Sequence, residues 1–154
     1  MGSKIPIGQY VNKRRKALGF TQFSLSRLIG YTPQALSKFE KSSIGFGADV
    51  YPIIANAIQI SVNDLFDRKE FFSQLKEGNK LFTIPQIGVA LRTIRKTYHL
   101  TQEDFAKILS VHPRSIRNYE AGNSVPSIVL FEKMLCEFNL CPTDFVEIIE
   151  GKVK

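Results

Sequence analysis

The chain has 154 residues, 44% of them hydrophobic, with 21 Lys and Arg against 14 Asp and Glu, a formal charge of +7 and two cysteines. This is ordinary globular composition, enough for one medium domain or two small ones, and modest basicity leaves an anionic partner open without requiring one. No stretch approaches the ~18 continuous apolar residues of a membrane span, no signal peptide is visible, Pro6 stands where a myristoylation signal needs Ser or Thr, and two cysteines are too few for a disulfide scaffold or a four-ligand zinc site, so a reducing, cytoplasmic setting is expected.

The predicted elements come in two copies 80 residues apart, aligned without a gap: Ile7-Gly8 recurs as Ile87-Gly88, Arg15-Lys16 as Arg95-Lys96, Thr21-Gln22 as Thr101-Gln102, Glu40 as Glu120 and Asp64 as Asp144. A fixed period of this kind marks repeated structural units. The expected division is a first domain over 5–66, a linker over 67–83 and a second domain over 84–150. Each unit lies near the lower size limit for a self-sufficient core, so contact between them would help.

In the first copy an amphipathic helix is expected from about Ile7 to Leu18, with Val11, Arg15 and Leu18 on one face and Gly19 as its left-handed stop. Thr21 is an N-cap for a second helix whose stripe is Leu25, Leu28 and Ile29, with Ser26 as the small residue at a helix crossing and Gly30 as terminator. Thr32-Pro33 opens a third helix, since proline is favourable at the first helical position. Leu36 and Phe39 anchor it; Gln34, Ser37 and Lys38 stay on its polar face. A fourth helix is expected to start late, with Asp49 as N-cap and Pro52 inside its first turn, and a short fifth helix covers about Val62 to Phe66. The linker holds Phe71, Phe72 and Leu75 at helical spacing, so a short connecting helix ending near Glu77-Gly78-Asn79 is expected.

The second copy repeats this plan: a helix over about Ile87 to Tyr98 with His99 in place of the glycine, then Thr101 capping Phe105, Ile108 and Leu109, with Ala106 small. His112-Pro113 opens a helix anchored by Ile116 and Tyr119, with Arg114, Ser115, Arg117 and Asn118 polar. Ser127 caps a fourth helix in which Cys136 is expected to be buried or half-buried, and a fifth covers about Thr143 to Ile149. Charge divides unevenly: residues 1–66 carry eight basic and three acidic side chains, residues 84–154 nine and eight.

The strings Val11-Asn12-Lys13-Arg14-Arg15-Lys16-Ala17-Leu18-Gly19-Phe20-Thr21-Gln22 and Leu91-Arg92-Thr93-Ile94-Arg95-Lys96-Thr97-Tyr98-His99-Leu100-Thr101-Gln102 resemble the Cro-like phage-repressor helix-turn-helix family. The second continues through Tyr119-Glu120-Ala121-Gly122 to Val125-Pro126-Ser127. The resemblance implies an all-α chain of two tandem five-helix lambda-repressor-like helix-turn-helix domains, joined here by the short helical linker expected from its spacing, binding double-stranded DNA as a bacterial or phage transcriptional regulator. It puts the third helix of each copy in the major groove, so the DNA-binding candidates are Gln34, Ser37, Lys38, Arg114, Ser115, Arg117 and Asn118. Arg suits guanine O6/N7 and Gln or Asn suits adenine N6/N7. Gln22 and Gln102 are implied phosphate contacts at helix starts. For Arg15–Glu40 and Arg95–Glu120 it implies a buried ion pair joining the first and third helices. Lys13, Arg14, Lys16 and Lys41 are candidates for nonspecific charge.

Phe23 departs from the pattern, since its counterpart is Glu103; it is expected to pack on Phe71 or Phe72 or to lie in a protein interface. A direct repeat does not dictate a two-fold pair, so either an asymmetric DNA site or a longer site shared by two chains, with homodimer formation, remains open. The alternative function is a protein-interaction module of antitoxin or adaptor type. With only His99 and His112, no nucleophile–base pair, no metal spacing and no phosphate loop, neither enzyme activity nor a cofactor or small-molecule effector is expected.

Overall fold

The computed structural model describes residues 5–69 and 78–152. Among them are ten α-helices, one short 3-10 helix and no β-strand. The first five α-helices are α1 (Ile7–Ala17), α2 (Gln22–Ile29), α3 (Pro33–Ser42), α4 (Tyr51–Ala57) and α5 (Val62–Asp67). The second five are α6 (Ile84–Thr97), α7 (Gln102–Leu109), α8 (Pro113–Ala121), α9 (Ile128–Glu137) and α10 (Pro142–Ile149).

Local chemistry sets most boundaries. The hydroxyls of Thr21, Thr32, Ser61, Thr83, Thr101 and Ser127 each accept a backbone N–H three residues on, occupying a donor that a helix start leaves unpaired. Gly19 and Gly30 take left-handed φ of 81° and 80°, and their counterparts His99 and Ser110 take 57° and 58°. These polar side chains thus tolerate the terminating conformation that glycine adopts freely.

Several boundaries differ from expectation. α6 begins at Ile84, three residues early, because Thr83 and Gln86 form a reciprocal capping box with Pro85 inside the first turn. Asp49 caps nothing: it lies in the 3-10 helix Ala48–Val50, which runs straight into α4, and Pro52 falls in the first turn of α4. α3 is one residue longer than α8, so Ser43 (φ 59°), not Ser42, takes the left-handed position that Gly122 fills in the second set. Ser43 is buried and its Oγ accepts the Gly8 N–H at 2.9 Å. The expected linker helix lies outside the described residues, apart from Gly78 and Asn79, which are not helical.

Packing among the first four helices follows the same plan in both sets, whereas α10 lies against α6 and α5 against α4. α1 lies against α3 and α2 against α3 and α4; α6 lies against α8 and α7 against α8 and α9. The repeated glycine has a reason in this geometry: a Cβ on Gly8 would overlap the Phe39 carbonyl oxygen, and one on Gly88 that of Tyr119. Ser26 and Ala106 are fully buried at the α2 and α7 crossings. Leu28 and Ile108 do not join the core as expected, and Leu28 is 58% exposed. The buried arc centres on Leu25, Ser26 and Ile29, and at about 100° per residue position 28 falls well to one side of it. Cys136 is exposed, also against expectation.

The two sets also meet each other. The Ala48 N–H donates to the Pro126 carbonyl at 2.8 Å and the Ile128 N–H to the Phe46 carbonyl at 3.1 Å, around an antiparallel bridge of Gly47 with Ser127. The Tyr51 ring lies edge-on to Phe131, 5.4 Å between centroids, and Phe131, Phe82 and Phe145 complete an aromatic cluster. Arg68 makes a bidentate pair with Glu132 at 2.6 and 2.8 Å, and the Tyr51 hydroxyl donates to the same carboxylate at 2.8 Å. α5 packs on α10, where Asn63 exchanges hydrogen bonds with Thr143.

Candidate nucleic-acid interface

Short, well-satisfied turns join α2 to α3 and α7 to α8. Between α2 and α3 lie Gly30, Tyr31 and Thr32; the Tyr31 N–H reaches back to the Ser26 carbonyl at 2.9 Å and the Gly30 N–H to Arg27 at 3.3 Å. Between α7 and α8, Val111 bonds Ala106 at 2.9 Å and Ser110 bonds Lys107 at 3.2 Å. This paired 6→1 and 5→2 closure fixes the angle at which the next helix leaves. Proline then starts α3 and α8, with Thr32 Oγ1 accepting from Ala35 and His112 Nδ1 accepting from Arg114.

Behind each unit sits an ion pair, buried for Arg15–Glu40 and half-buried for Arg95–Glu120. Arg15 Nε and Nη2 donate to both Glu40 oxygens at 2.7 and 3.1 Å, and its Nη1 bonds the Phe20 carbonyl at 2.8 Å. Arg95 makes the same bonds to Glu120 at 2.7 and 3.0 Å and to Leu100 at 3.0 Å. The side chains of the Arg15–Glu40 pair are 8% and 2% exposed, so neither is available to DNA. Burial pushes the Glu40 carboxyl up, but hydrogen bonds from Arg15, Gln22 and Asn12 outweigh it and hold it below the usual carboxylate range. The Arg95 guanidinium is raised by its hydrogen bonds to Glu120.

Gln22 and Gln102 are tied to these pairs. Gln22 Nε2 donates to Glu40 at 2.9 Å and Gln102 Nε2 to Glu120 at 3.2 Å. Both residues are half-buried. One amide N–H is thus spent orienting the side chain, and the second, with the free backbone N–H groups of the helix start, is what an anion would meet.

The starts of α3 and α8 face outward. Gln34, Lys38, Arg114 and Arg117 are exposed; Ser37, Ser115 and Asn118 are half-buried. Gln34, Ser37, Lys38, Lys41, Ser42 and Ile44 line a shallow open depression along α3. Burial raises the Tyr119 phenol, and the nearby Ser115 hydroxyl opposes this. Lys13, Lys16 and Lys41 stand in solvent. Arg14, a candidate for nonspecific charge, instead donates through Nε to the Ile58 carbonyl at 3.0 Å, tying α1 to the end of α4.

Phe23 is 58% exposed, with the Arg27 guanidinium 5.7 Å from its ring centroid. Packing on Phe71 or Phe72 would involve residues outside those described. Among the described residues no group of three or more His, Cys, Asp or Glu is placed to hold a metal ion, and no helix is long and apolar enough to cross a membrane.

Part of the sequence has a counterpart among known proteins. Residues 91–146, from α6 into α10, match the family model described as Helix-turn-helix, of the Cro/C1-like kind. A curated protein, Antitoxin PezA of Streptococcus pneumoniae serotype 4 (strain ATCC BAA-334 / TIGR4), is 37% identical over 60 residues, which are 39% of this chain and 38% of that protein. The similarity therefore spans well under half of either chain. No solved structure matches.

Proposed function

We propose that the chain binds double-stranded DNA sequence-specifically, as a transcriptional regulator of bacterial or phage type working in the cytoplasm. In this reading α1–α5 and α6–α10 are two tandem five-helix helix-turn-helix domains, and α3 and α8 enter successive stretches of major groove. The observation that carries it is the outward polar face of α8, with Arg114 and Arg117 exposed and Asn118 half-buried, inside the segment that matches the helix-turn-helix family; in this reading these side chains meet the bases. An α-helix fits the major groove and presents its N-terminal side chains to base edges. Lys13, Lys16, Lys38 and Lys41 add phosphate attraction on the first half.

Fluorescence anisotropy with a labelled random duplex at low salt tests the reading. Binding with a steep negative slope of log K against log salt is expected, because each neutralised phosphate releases counterions.

A second reading has its own support. The similarity to an antitoxin and the exposed aromatic Phe23 favour a protein-interaction module in which the first half meets another protein. No binding to any duplex at low salt would leave this reading standing alone.

A further inference from the structure

We infer that one chain is a complete two-armed reader: its halves close on each other about a pseudo-two-fold axis, so an unpaired chain takes an inverted DNA repeat whose arms differ in sequence. The inference rests on the DNA-binding reading above and specifies the form of the target.

The contacts between the halves carry it. Ala48 donates to Pro126, and Ile128, the counterpart of Ala48, donates to Phe46, the counterpart of Pro126. A contact in which i meets j and j meets i is isologous, the mark of a two-fold interface. Three residues meet their own counterparts across this interface: Gly47 with Ser127, Tyr51 with Phe131, and Asn63 with Thr143. Halves stacked by simple translation would hold every such pair about one unit diameter apart, on the order of 25 Å for ~65 residues. Counterparts touch at three separate places only if a rotation axis runs among them.

Two consequences follow. The pairing surface is consumed inside the chain, where Tyr51 is fully buried and Arg68 and Glu132 are engaged with each other, so a second copy finds no such surface. And an axis of this kind puts α3 and α8 at equal height along it, as the dyad of duplex DNA asks of two reading helices. A direct repeat in the protein therefore calls for an inverted repeat in the DNA. The arms are unlike because Gln34, Ala35, Ser37 and Lys38 face Arg114, Ser115, Arg117 and Asn118 at equivalent positions. Gln34 favours adenine where Arg114 favours guanine.

The test is selection of bound duplexes from a random library with the full chain, followed by sedimentation velocity of the chain alone and with a selected duplex. The expected result is a monomer alone, one chain per duplex, and two inverted, unlike arms centred about one helical turn apart. In the Gln34→Arg variant one position of one arm changes from adenine to guanine by about tenfold or more, and the other arm is unchanged. A direct repeat, a single arm, two chains per duplex, or a change in both arms overturns the inference while leaving DNA binding intact. Failure to retain any duplex sinks the DNA-binding reading itself, and this inference with it.

Discussion

Glu40 gathers donors from three side chains, Arg15, Gln22 and Asn12, whereas Glu120 has two, Arg95 and Gln102. Breaking a buried pair by removing one partner leaves the other charge uncompensated, at about 3–5 kcal/mol. Glu40→Ala and Glu120→Ala should therefore each lower the melting temperature of their half, and DNA binding should fall only in proportion to the unfolded fraction. Because the folded Glu40 carboxyl sits below its unfolded value, its stabilisation is fully present above the unfolded carboxylate range and is lost as pH falls through the folded value. Glu40→Gln should flatten the acid limb of stability against pH in denaturant titrations, and an unchanged limb would reject the assignment. The role of this pair was visible from the resemblance. That Arg14, one residue earlier, turns inward to Ile58 was not, since nothing in a basic run says which member finds a carbonyl.

At the scale of single helices, the caps were the most legible features, because capping is a local transaction between residues three apart. Thr21, Thr32, Thr101 and Ser127 act where the sequence puts them. The early start of α6 is written in Thr83-x-x-Gln86 with Pro85, which the first copy lacks at the equivalent positions Ser3, Ile5 and Pro6. The exposure of Leu28 and Ile108 could not be read from an apolar stripe alone, since in an eight-residue helix the neighbours decide which arc is covered. For α8, Arg114→Ala should cost about 1–3 kcal/mol of DNA affinity and relax preference at one base pair. A uniform loss over all sequences, read from competition with mutated duplexes, would assign Arg114 to phosphate instead. Gly88→Ala tests the fold independently: its methyl would strike the Tyr119 carbonyl, and a loss of about 1–3 kcal/mol in stability is expected from overpacking.

For the whole molecule, the informative positions are those where the copies disagree. Arg68 corresponds to Ile148, Glu132 to Pro52 and Tyr51 to Phe131, and the three meet between the halves. Identical residues built the Thr21 and Thr101 caps, the Gly8 and Gly88 crossings and the ion pair of each unit, and mismatched ones built the junction, which is why the repeat revealed the units but not their embrace. Burial is the first influence on both the Tyr51 phenol and the Arg68 guanidinium: it raises the former, and it would lower the latter but for Glu132, which holds it raised. Glu132→Ala would leave Arg68 without its counter-charge. The expected outcome is a single cooperative melt separating into two transitions by calorimetry, with the second half persisting on its own core.

The reciprocal pairing around Gly47 and Ser127 has a kinetic consequence. Each half presents a surface that fits the other half of any identical molecule as well as its own, and only the stretch between Lys69 and Gly78 makes the intramolecular choice faster. Refolding from denaturant at high concentration should accordingly trap domain-swapped species, separable by size exclusion and dissolving into single chains only after renewed unfolding in dilute solution.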